Sequence, residues 1–214
     1  QLKKGESVGL VGANGVGKST LLRILVGLNT GFQGDVMVNN IPLEKKNLKT
    51  IRKNVGYVFQ DADSQLFMST VFDDVAFAPR NYGMSEAEVN EKTMEALKVV
   101  HIEQLKDKQI YKLSGGEKKL ASIATILSTE PDVILMDEPS VALDPKNRRN
   151  LINILNRLNQ AKIIASHDLN MIMDTCERTI LLSDGKVIKD GNTKEILLDK
   201  ELMEESGLEL PLGY

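Results

Sequence analysis

The chain has 214 residues, of which 42% are hydrophobic, and its formal net charge is −3 at pH 7. This length suits one large α/β domain or a core with one added lobe, and the charge argues against a broad electrostatic grip on nucleic acid. The single cysteine, Cys176, excludes an intrachain disulfide and a multi-cysteine zinc site, and no apolar run approaches the ~18 residues of a membrane helix. We expect Cys176 to be a plain buried thiol in a protein of a reducing, cytoplasmic compartment.

A glycine-rich stretch near the start of the chain separates a predicted strand from a predicted helix. Residues 7–11 are small and apolar enough for a buried strand, and apolar residues recur at helical spacing over residues 21–25. The stretch between them reads Gly12-Ala13-Asn14-Gly15-Val16-Gly17-Lys18-Ser19-Thr20. Glycines let backbone N–H groups point at a phosphate, and a helix N-terminus favours an anion. The pattern predicts a nucleotide-binding loop, in which Lys18 reaches the β- and γ-phosphates and Ser19 ligates Mg²⁺.

The next part of the chain changes from strand-like to helical patterns. Residues 35–39 alternate like a short strand that ends in an Asn-Asn turn, and the apolar residues 55–59 predict another strand. Helical patterns dominate residues 64–128, including a capping box formed by Ser85 and Glu88. We therefore predict a helical lobe inserted into an α/β core.

A second capping box, Ser114 and Glu117, begins another helix within the sequence Leu113-Ser114-Gly115-Gly116-Glu117. An ordinary helix start is the simpler interpretation, but each glycine in a helical turn costs about 1 kcal/mol relative to alanine. Adjacent glycines leave bare backbone N–H groups at a positive helix end. This arrangement suits an incoming phosphate.

An unbroken apolar run ends in two carboxylates: Val133-Ile134-Leu135-Met136-Asp137-Glu138-Pro139. The run predicts a central parallel strand that is buried on both faces, and such sheets bind ligands at the carboxyl ends of their strands. Asp137 fits a ligand of Mg²⁺ and its bound water, and Glu138 could accept a proton from an attacking water. The alternative is a strand followed by an acidic turn. Pro145 then suits the first position of a following helix.

The last third of the chain adds one candidate site residue. Residues 162–165 predict a strand, and His167 follows its end on the ligand side, whereas we expect His101 to be structural. Two short strands flank the hairpin signal Asp184-Gly185, and a mixed, acid-rich helix is expected after Thr193.

Taken together, these motifs resemble the nucleotide-binding subunit of ATP-binding cassette (ABC) transporters from Gly5 to about Gly191. The matching pieces stand in family order: the phosphate loop, Gln60, the Leu113–Glu117 signature, Asp137 with Glu138, Asp144 and His167. The resemblance implies an α/β fold: a P-loop NTPase core with a mainly parallel sheet and an inserted helical subdomain. In this single ABC ATPase domain, residues 1–63 and 129–200 would form the core, 64–128 the helical subdomain with the signature, and 201–214 a C-terminal tail.

The resemblance also implies ATP hydrolysis in a head-to-tail dimer that sandwiches two ATP molecules. Glu138 would be the general base, His167 would contact the γ-phosphate, and Gln60 would sense the water. The ATP-binding residues implied are Gly12, Asn14, Gly15, Gly17, Lys18, Ser19, Thr20, Ser114, Gly115, Gly116 and Asp144, with Asp144 also communicating across the dimer. The implied Mg²⁺ ligands are Ser19, Gln60 and Asp137.

Residues 59–67 and 73–79 are similar to the energy-coupling-factor importers, whose relatives take up cobalt, nickel or vitamins. The resemblance implies an ATPase that powers import through transmembrane subunits at the cytoplasmic face of the membrane, as a homodimer or paired with a paralogue, without a nucleic-acid partner. The apolar residues of this stretch could equally be core of the lobe. The alternatives are an exporter or lipoprotein-release cassette, an ABC ATPase of DNA repair or translation, and a small-molecule phosphoryl transferase.

Three departures from the family pattern stand out. Relatives usually carry an aromatic residue upstream of the phosphate loop that stacks on adenine, and residues 1–11 contain none. We expect N-terminal strands to be missing from this chain and nucleotide affinity to be weakened. In addition, Leu120 and Ala142 stand where relatives often have arginine and glycine.

Overall fold

The computed structural model describes residues 1–214 and divides the chain into two compact units. The first contains Gln1–Tyr57, Asp132–Pro139 and Asn159–Tyr214, and the second contains Val58–Pro131 and Ser140–Leu158. The helical segment predicted at residues 64–128 lies within the second unit. Three stretches that the sequence assigned to the core, 58–63, 129–131 and 140–158, also belong to the second unit.

The chain forms eight strands and nine α-helices, with short 3₁₀ turns between some of them. The strands are β1 (Ser7–Val11), β2 (Met37–Val38), β3 (Ile41–Pro42), β4 (Val55–Val58), β5 (Val133–Asp137), β6 (Ala161–Ala165), β7 (Arg178–Ser183) and β8 (Lys186–Asn192). The helices are α1 (Lys18–Leu25), α2 (Leu48–Asn54), α3 (Val71–Asn81), α4 (Glu86–Val99), α5 (Gly115–Leu127), α6 (Pro145–Arg157), α7 (Leu169–Thr175), α8 (Thr193–Leu197) and α9 (Lys200–Glu205). None of these helices combines the length and the apolar character that crossing a membrane requires.

A six-stranded sheet with the order β4-β5-β6-β1-β7-β8 forms the centre of the first unit. β1 pairs in parallel with β6 and β7, β5 pairs in parallel with β6, and β8 is antiparallel to β7. Ile134, Leu135 and Met136 of β5 are at most 1% exposed. A strand buried on both faces needs apolar residues throughout, which explains the unbroken run in the sequence. The predicted parallel sheet and its central strand are confirmed.

Two tight turns have the backbone that their sequences predict. Asn39 and Asn40 join β2 to β3 with φ angles of 50° and 63°, and Asp184 and Gly185 join β7 to β8 with 49° and 72°. Positive φ at both central residues matches the twist of a hairpin, and Asn, Asp and Gly tolerate it best. Both turn predictions are confirmed.

The C-terminal helical region differs from its prediction. The single helix expected after Thr193 is two short helices, α8 and α9. The chain breaks at Leu198 and Asp199, and the Asp199 carboxylate accepts a hydrogen bond from the Leu202 N–H at 3.1 Å. Asp199 therefore caps a new helix, which a pattern of acidic and apolar residues alone does not reveal.

Both predicted capping boxes are present in the second unit. The backbone N–H of Ser85 donates to Glu88 at 2.8 Å, and the backbone N–H of Ser114 donates to Glu117 at 2.7 Å. Each serine hydroxyl in turn accepts from the backbone N–H of its glutamate at 3.3 Å. The reciprocal bonds satisfy N–H groups that a helix start leaves open, so α4 and α5 begin where the sequence places them.

Helix α7 packs closely against the middle of β1 because residue 9 has no side chain. A Cβ atom on Gly9 would lie 2.5 Å from the Cγ2 of Ile172 and 3.0 Å from the hydroxyl of Thr179. Real Cβ contacts are not this short, and the branched side chain of Ile172 has little rotamer freedom within a helix. The absence of a side chain at residue 9 therefore sets the distance between α7 and the sheet.

We predict that Gly9→Ala lowers the free energy of unfolding by about 1–3 kcal/mol, as overpacking of a core typically does. Urea unfolding would measure it, with Gly31→Ala as the matched control, because nothing lies within 4 Å of a Cβ at Gly31. Equal stability of the two variants would contradict the tight packing of α7 on β1.

Candidate nucleotide-binding site

The loop between β1 and α1 has a backbone that depends on glycine. Gly12, Gly15 and Gly17 have φ angles of 153°, 81° and 106°. A Cβ on Gly12 would collide with the carbonyl oxygen of Leu182, whereas no atom lies within 4 Å of a Cβ at Gly15 or Gly17. The loop is therefore closed on the side that faces the sheet and open at Gly15 and Gly17, where a phosphate can approach the backbone.

Lys18 begins α1, and its ammonium group folds back over the loop. It is 6% exposed, and its Nζ donates to the carbonyl oxygens of Gly12 at 2.7 Å and Ala13 at 3.2 Å. A buried ammonium needs oxygen acceptors around it, and these carbonyls supply them. The same donor is available to phosphate oxygens of a nucleotide that enters the loop.

Asp137, at the end of β5, receives a hydroxyl on each of its two carboxylate oxygens. The Ser19 hydroxyl donates to Oδ1 at 2.8 Å, and the Tyr57 hydroxyl donates to Oδ2 at 3.0 Å. Burial and the negative charge of Asp137 raise the pKa of Tyr57 to about 12, so the phenol remains a donor at neutral pH. Ser19 and Asp137 thus present adjacent hard oxygen ligands, which suit Mg²⁺.

Glu138 is held by the segment that follows β6. Its backbone N–H donates to the carbonyl of Ala165 at 2.8 Å, and its φ of 46° turns the chain out of the strand. Its Oε2 accepts from the Ser166 hydroxyl at 3.1 Å and from the His167 backbone N–H at 3.1 Å, and Nδ1 of His167 lies 2.8 Å from the same oxygen. Glu138 is 7% exposed, so its carboxylate has a fixed orientation.

In the second unit, the signature glycines pack against the start of α6. A Cβ on Gly116 would lie 2.7 Å from Nδ2 of Asn147, and a Cβ on Gly115 would lie 3.9 Å from the carbonyl oxygen of Ala142. Asp144 caps α6 by accepting from the backbone N–H of Asn147 at 2.8 Å and from its Nδ2 at 2.7 Å. The hydrogen bond from that backbone N–H lowers the pKa of Asp144. The signature and Asp144 are therefore joined through one asparagine.

Gln60 is also in the second unit, directly after β4, and it is exposed. Its carbonyl oxygen accepts from Nζ of Lys119 at 2.7 Å, and the carbonyl of Phe59 accepts from the same Nζ at 2.9 Å. The backbone of this loop is thus fixed to α5 by one buried lysine.

The structure brings five predicted site residues together in the first unit. Lys18 and Ser19 follow β1, Asp137 and Glu138 end β5, and His167 follows β6. Asn14, Gly15 and Thr20 of the loop are exposed, as are Ser114 and Gly115 of the signature in the second unit. Gln60, Gly116 and Asp144 are the other predicted residues of that second unit.

Four residues that contact the site were missed by the sequence analysis: Tyr57, Lys119, Asn147 and Ser166. Ser166 had a signal, because it directly precedes His167 after a predicted strand. Tyr57 and Lys119 occupy ordinary positions of a strand and a helix, and only the packing of those elements shows what they contact.

Comparisons of the sequence with known proteins identify the family to which these motifs belong. The family described as ABC transporter matches residues 1–141. An energy-coupling factor transporter ATP-binding protein, EcfA of Carboxydothermus hydrogenoformans, is 42% identical over 95% of this chain and 76% of its own length. EcfA of Methanocaldococcus jannaschii is 40% identical over 99% of this chain and 77% of its own length.

Solved structures give the same result. CbiO1 from Clostridium perfringens, part of the ABC transporter complex CbiONQ, superposes with a TM-score of 0.85 at 36% identity, covering 96% of this chain and 84% of its own. The dimeric cassette MJ0796, in a post-hydrolysis state bound to ADP and Pi, gives a TM-score of 0.80 at 30% identity, over 90% of this chain and 88% of its own. The chain belongs to the ATP-binding cassette transporter family and is an ATP-binding, ATP-hydrolysing subunit.

Proposed function

We propose that this ATPase powers a membrane importer of the energy-coupling-factor type, with a transition-metal ion or a vitamin as cargo. The similarity to the two EcfA proteins along nearly the whole chain carries this proposal. CbiO1, part of the CbiONQ transporter complex, supports it. The subunit would sit at the cytoplasmic face of the membrane and bind transmembrane subunits there.

An exposed aromatic pair is the surface that we assign to the transmembrane partner. Phe67 and Phe77 are 64% and 39% exposed, and their rings meet edge to face with centroids 4.8 Å apart. Two adjacent aromatic side chains in water are unfavourable unless a partner covers them. An apolar segment at the end of a membrane subunit would bury both rings.

Within the first unit, we assign the phosphates of ATP to the backbone N–H groups of the loop and to Lys18. Ser19 and Asp137 have the oxygen chemistry to hold Mg²⁺. When bound, the ion would neutralise charge on the β- and γ-phosphate oxygens. The Tyr57 hydroxyl would hold one Asp137 oxygen while the other remains next to Ser19.

We assign the general base to Glu138. As water attacks the γ-phosphorus, the bond to the β–γ bridging oxygen breaks, and Glu138 accepts the proton that the water loses. The hydrogen bonds from the Ser166 hydroxyl and the His167 backbone N–H orient this carboxylate, and the His167 side chain would contact the γ-phosphate. ADP and phosphate are the products.

We further propose that the signature binds the ATP held by a second subunit. Ser114 and Gly115 are exposed at the N-terminus of the 13-residue helix α5, where N–H groups and the helix dipole favour an anion. In such a dimer, Asp144 would communicate between the subunits. The related cassette MJ0796 is dimeric, which supports the formation of a dimer. The second subunit could be a copy of this chain or a paralogue.

The direction of transport tests the importer. The subunit would be purified with its native transmembrane partners and reconstituted in proteoliposomes with the ATPase face outward. ATP-dependent movement of cobalt, nickel or a vitamin towards the ATPase side of the membrane supports import. Movement of the solute away from the ATPase side would establish an exporter instead.

We predict that Glu138→Gln lowers ATP turnover by ~10²-fold or more, because the amide keeps the size of the side chain but removes the base. ATP binding should persist, and the ATP-bound dimer should accumulate. Steady-state hydrolysis with the transport partners measures the effect. Glu130→Gln is the matched control, since Glu130 is an exposed glutamate that also has a positive φ. Normal turnover in Glu138→Gln would remove Glu138 from this role.

We predict that Ser114→Arg abolishes ATP-dependent dimerisation while nucleotide binding by the monomer stays nearly intact. The arginine would fill the space of the partner's phosphate. Ser85→Arg removes the other capping box of the same unit and is the matched control. Analytical ultracentrifugation with ATP, in a Glu138→Gln background, gives the comparison. Equal dimerisation of the two variants would contradict the head-to-tail arrangement.

A further inference from the structure

Tyr57, on β4, is a buried phenol with two polar partners. It is 6% exposed, its hydroxyl donates to Oδ2 of Asp137 at 3.0 Å, and it forms a side-chain hydrogen bond with Arg23. A guanidinium can only donate, so the Tyr57 oxygen accepts from Arg23. The one hydrogen of the phenol is therefore directed at Asp137.

Both oxygens of the Asp137 carboxylate are held from the same helix, α1. Ser19 and Arg23 are four residues apart in α1, a spacing that places them on one face of a helix. Ser19 donates directly to Oδ1 at 2.8 Å, whereas Arg23 acts on Oδ2 through the Tyr57 hydroxyl. Asp137 is 1% exposed, so bulk water has little access to either oxygen. The carboxylate therefore cannot rotate without breaking one of these two hydrogen bonds.

These contacts leave Asp137 with one oxygen for a metal ion. The Tyr57 hydroxyl engages Oδ2, so Oδ1, next to the Ser19 hydroxyl, is the oxygen that an ion can share. Mg²⁺ requires a small, near-ideal octahedral set of ligands, whereas Ca²⁺ accepts more ligands, including both oxygens of one carboxylate. A carboxylate that is held in one orientation and restricted to one oxygen therefore fits Mg²⁺ better than Ca²⁺.

We propose that Tyr57 is a positioning residue that sets the metal preference of the site: by engaging Oδ2 of Asp137, it favours Mg²⁺ over Ca²⁺. Arg23 contributes by directing the Tyr57 hydroxyl. This preference rests on the proposed metal site of Ser19 and Asp137, which a separate variant tests. All four residues belong to the first unit.

Displacement of Mn²⁺ tests the preference without any turnover. The full chain, in excess over a non-hydrolysable ATP analogue, is loaded with Mn²⁺, and EPR of the released ion gives the Mg²⁺ and Ca²⁺ concentrations that displace half of it. Wild-type protein should require more Ca²⁺ than Mg²⁺. Tyr57→Phe frees Oδ2, so the ratio of the Ca²⁺ to the Mg²⁺ concentration should fall by roughly tenfold, the size of one hydrogen bond to a charged group.

Two measurements accompany this comparison. Tyr111→Phe is the matched control, because it also removes a phenol that donates to a side-chain oxygen, that of Gln109 at 2.6 Å, in the second unit. Its ratio should equal that of the wild type. Binding of the analogue in the presence of EDTA, measured by calorimetry, should be the same in Tyr57→Phe and the wild type, because Tyr57 acts on the metal ligand alone.

A double-mutant cycle tests the part played by Arg23. Arg23→Met keeps the apolar stem but removes the donors, so the Tyr57 hydroxyl can turn away from Asp137 and the ratio should fall in the same direction. If Arg23 acts through Tyr57, Arg23→Met should have little further effect when Tyr57→Phe is already present. Additive effects of the two substitutions would overturn the role of Arg23.

The outcomes separate the metal preference from the metal site. Asp137→Asn should abolish Mn²⁺ binding beyond that of the free analogue; if binding persists, both the site and the role of Tyr57 are overturned. If Asp137→Asn loses the ion but Tyr57→Phe keeps the wild-type ratio, or weakens both ions equally, the role of Tyr57 alone is overturned. Should Tyr57→Phe not fold, the ratio in Arg23→Met decides the proposal, and an unchanged value overturns it.

Discussion

The register between β5 and β6 is the constraint on which the first unit's site depends. Asp137 lies opposite Ala165 in this parallel pair, and the next N–H along β5, that of Glu138, donates to the Ala165 carbonyl at 2.8 Å. Both strands therefore end together, which places Glu138 beside Ser166 and His167. A slip by one residue would turn Asp137 to the opposite face of the sheet, away from Ser19.

Two residues of the loop between β5 and α6 have a strained backbone. Glu138 and Ala142 have φ angles of 46° and 64°, in the left-handed region that favours glycine. At Glu138, the bonds from Ser166 and His167 offset the strain, which is typical of functional positions. At Ala142, the angle explains why glycine is the common residue there in the family. Alanine in place of glycine strains the backbone at this angle but removes no polar group.

The sequence predicted those parts of the fold that depend on local physics. The phosphate loop, both capping boxes, the hairpin at Asp184 and the buried strand β5 follow from glycine conformations, reciprocal hydrogen bonds and apolar runs. The contacts of Tyr57 with Asp137, of Lys119 with Phe59 and of Asn147 with Gly116 could not be predicted, because each joins residues at least 31 positions apart through the packing of separate elements. The division of α8 from α9 was missed because a short acidic segment contains its own cap at Asp199.

The glycines of the phosphate loop and the signature differ in what an added side chain would contact. At Gly12, the space that a Cβ atom would need is occupied by the Leu182 carbonyl oxygen of β7. At Gly116, it is occupied by the side-chain amide of Asn147. Gly15 and Gly17 are open. The crowded glycines allow close packing inside a unit, whereas the open glycines leave the backbone accessible to a ligand. The same residue type therefore has two separate physical roles in the candidate site.

The position of Cys176 has a practical consequence. It is the only thiol of the chain, it is 5% exposed, and burial raises its pKa to about 11. At neutral pH it is therefore both shielded and protonated, and thiol reagents react with thiolates. A cysteine introduced at an exposed position such as Tyr111 or Phe67 would be the only one to react quickly with a maleimide. Spin labels, fluorophores and cross-linkers can thus be attached at chosen positions while the native cysteine stays in place.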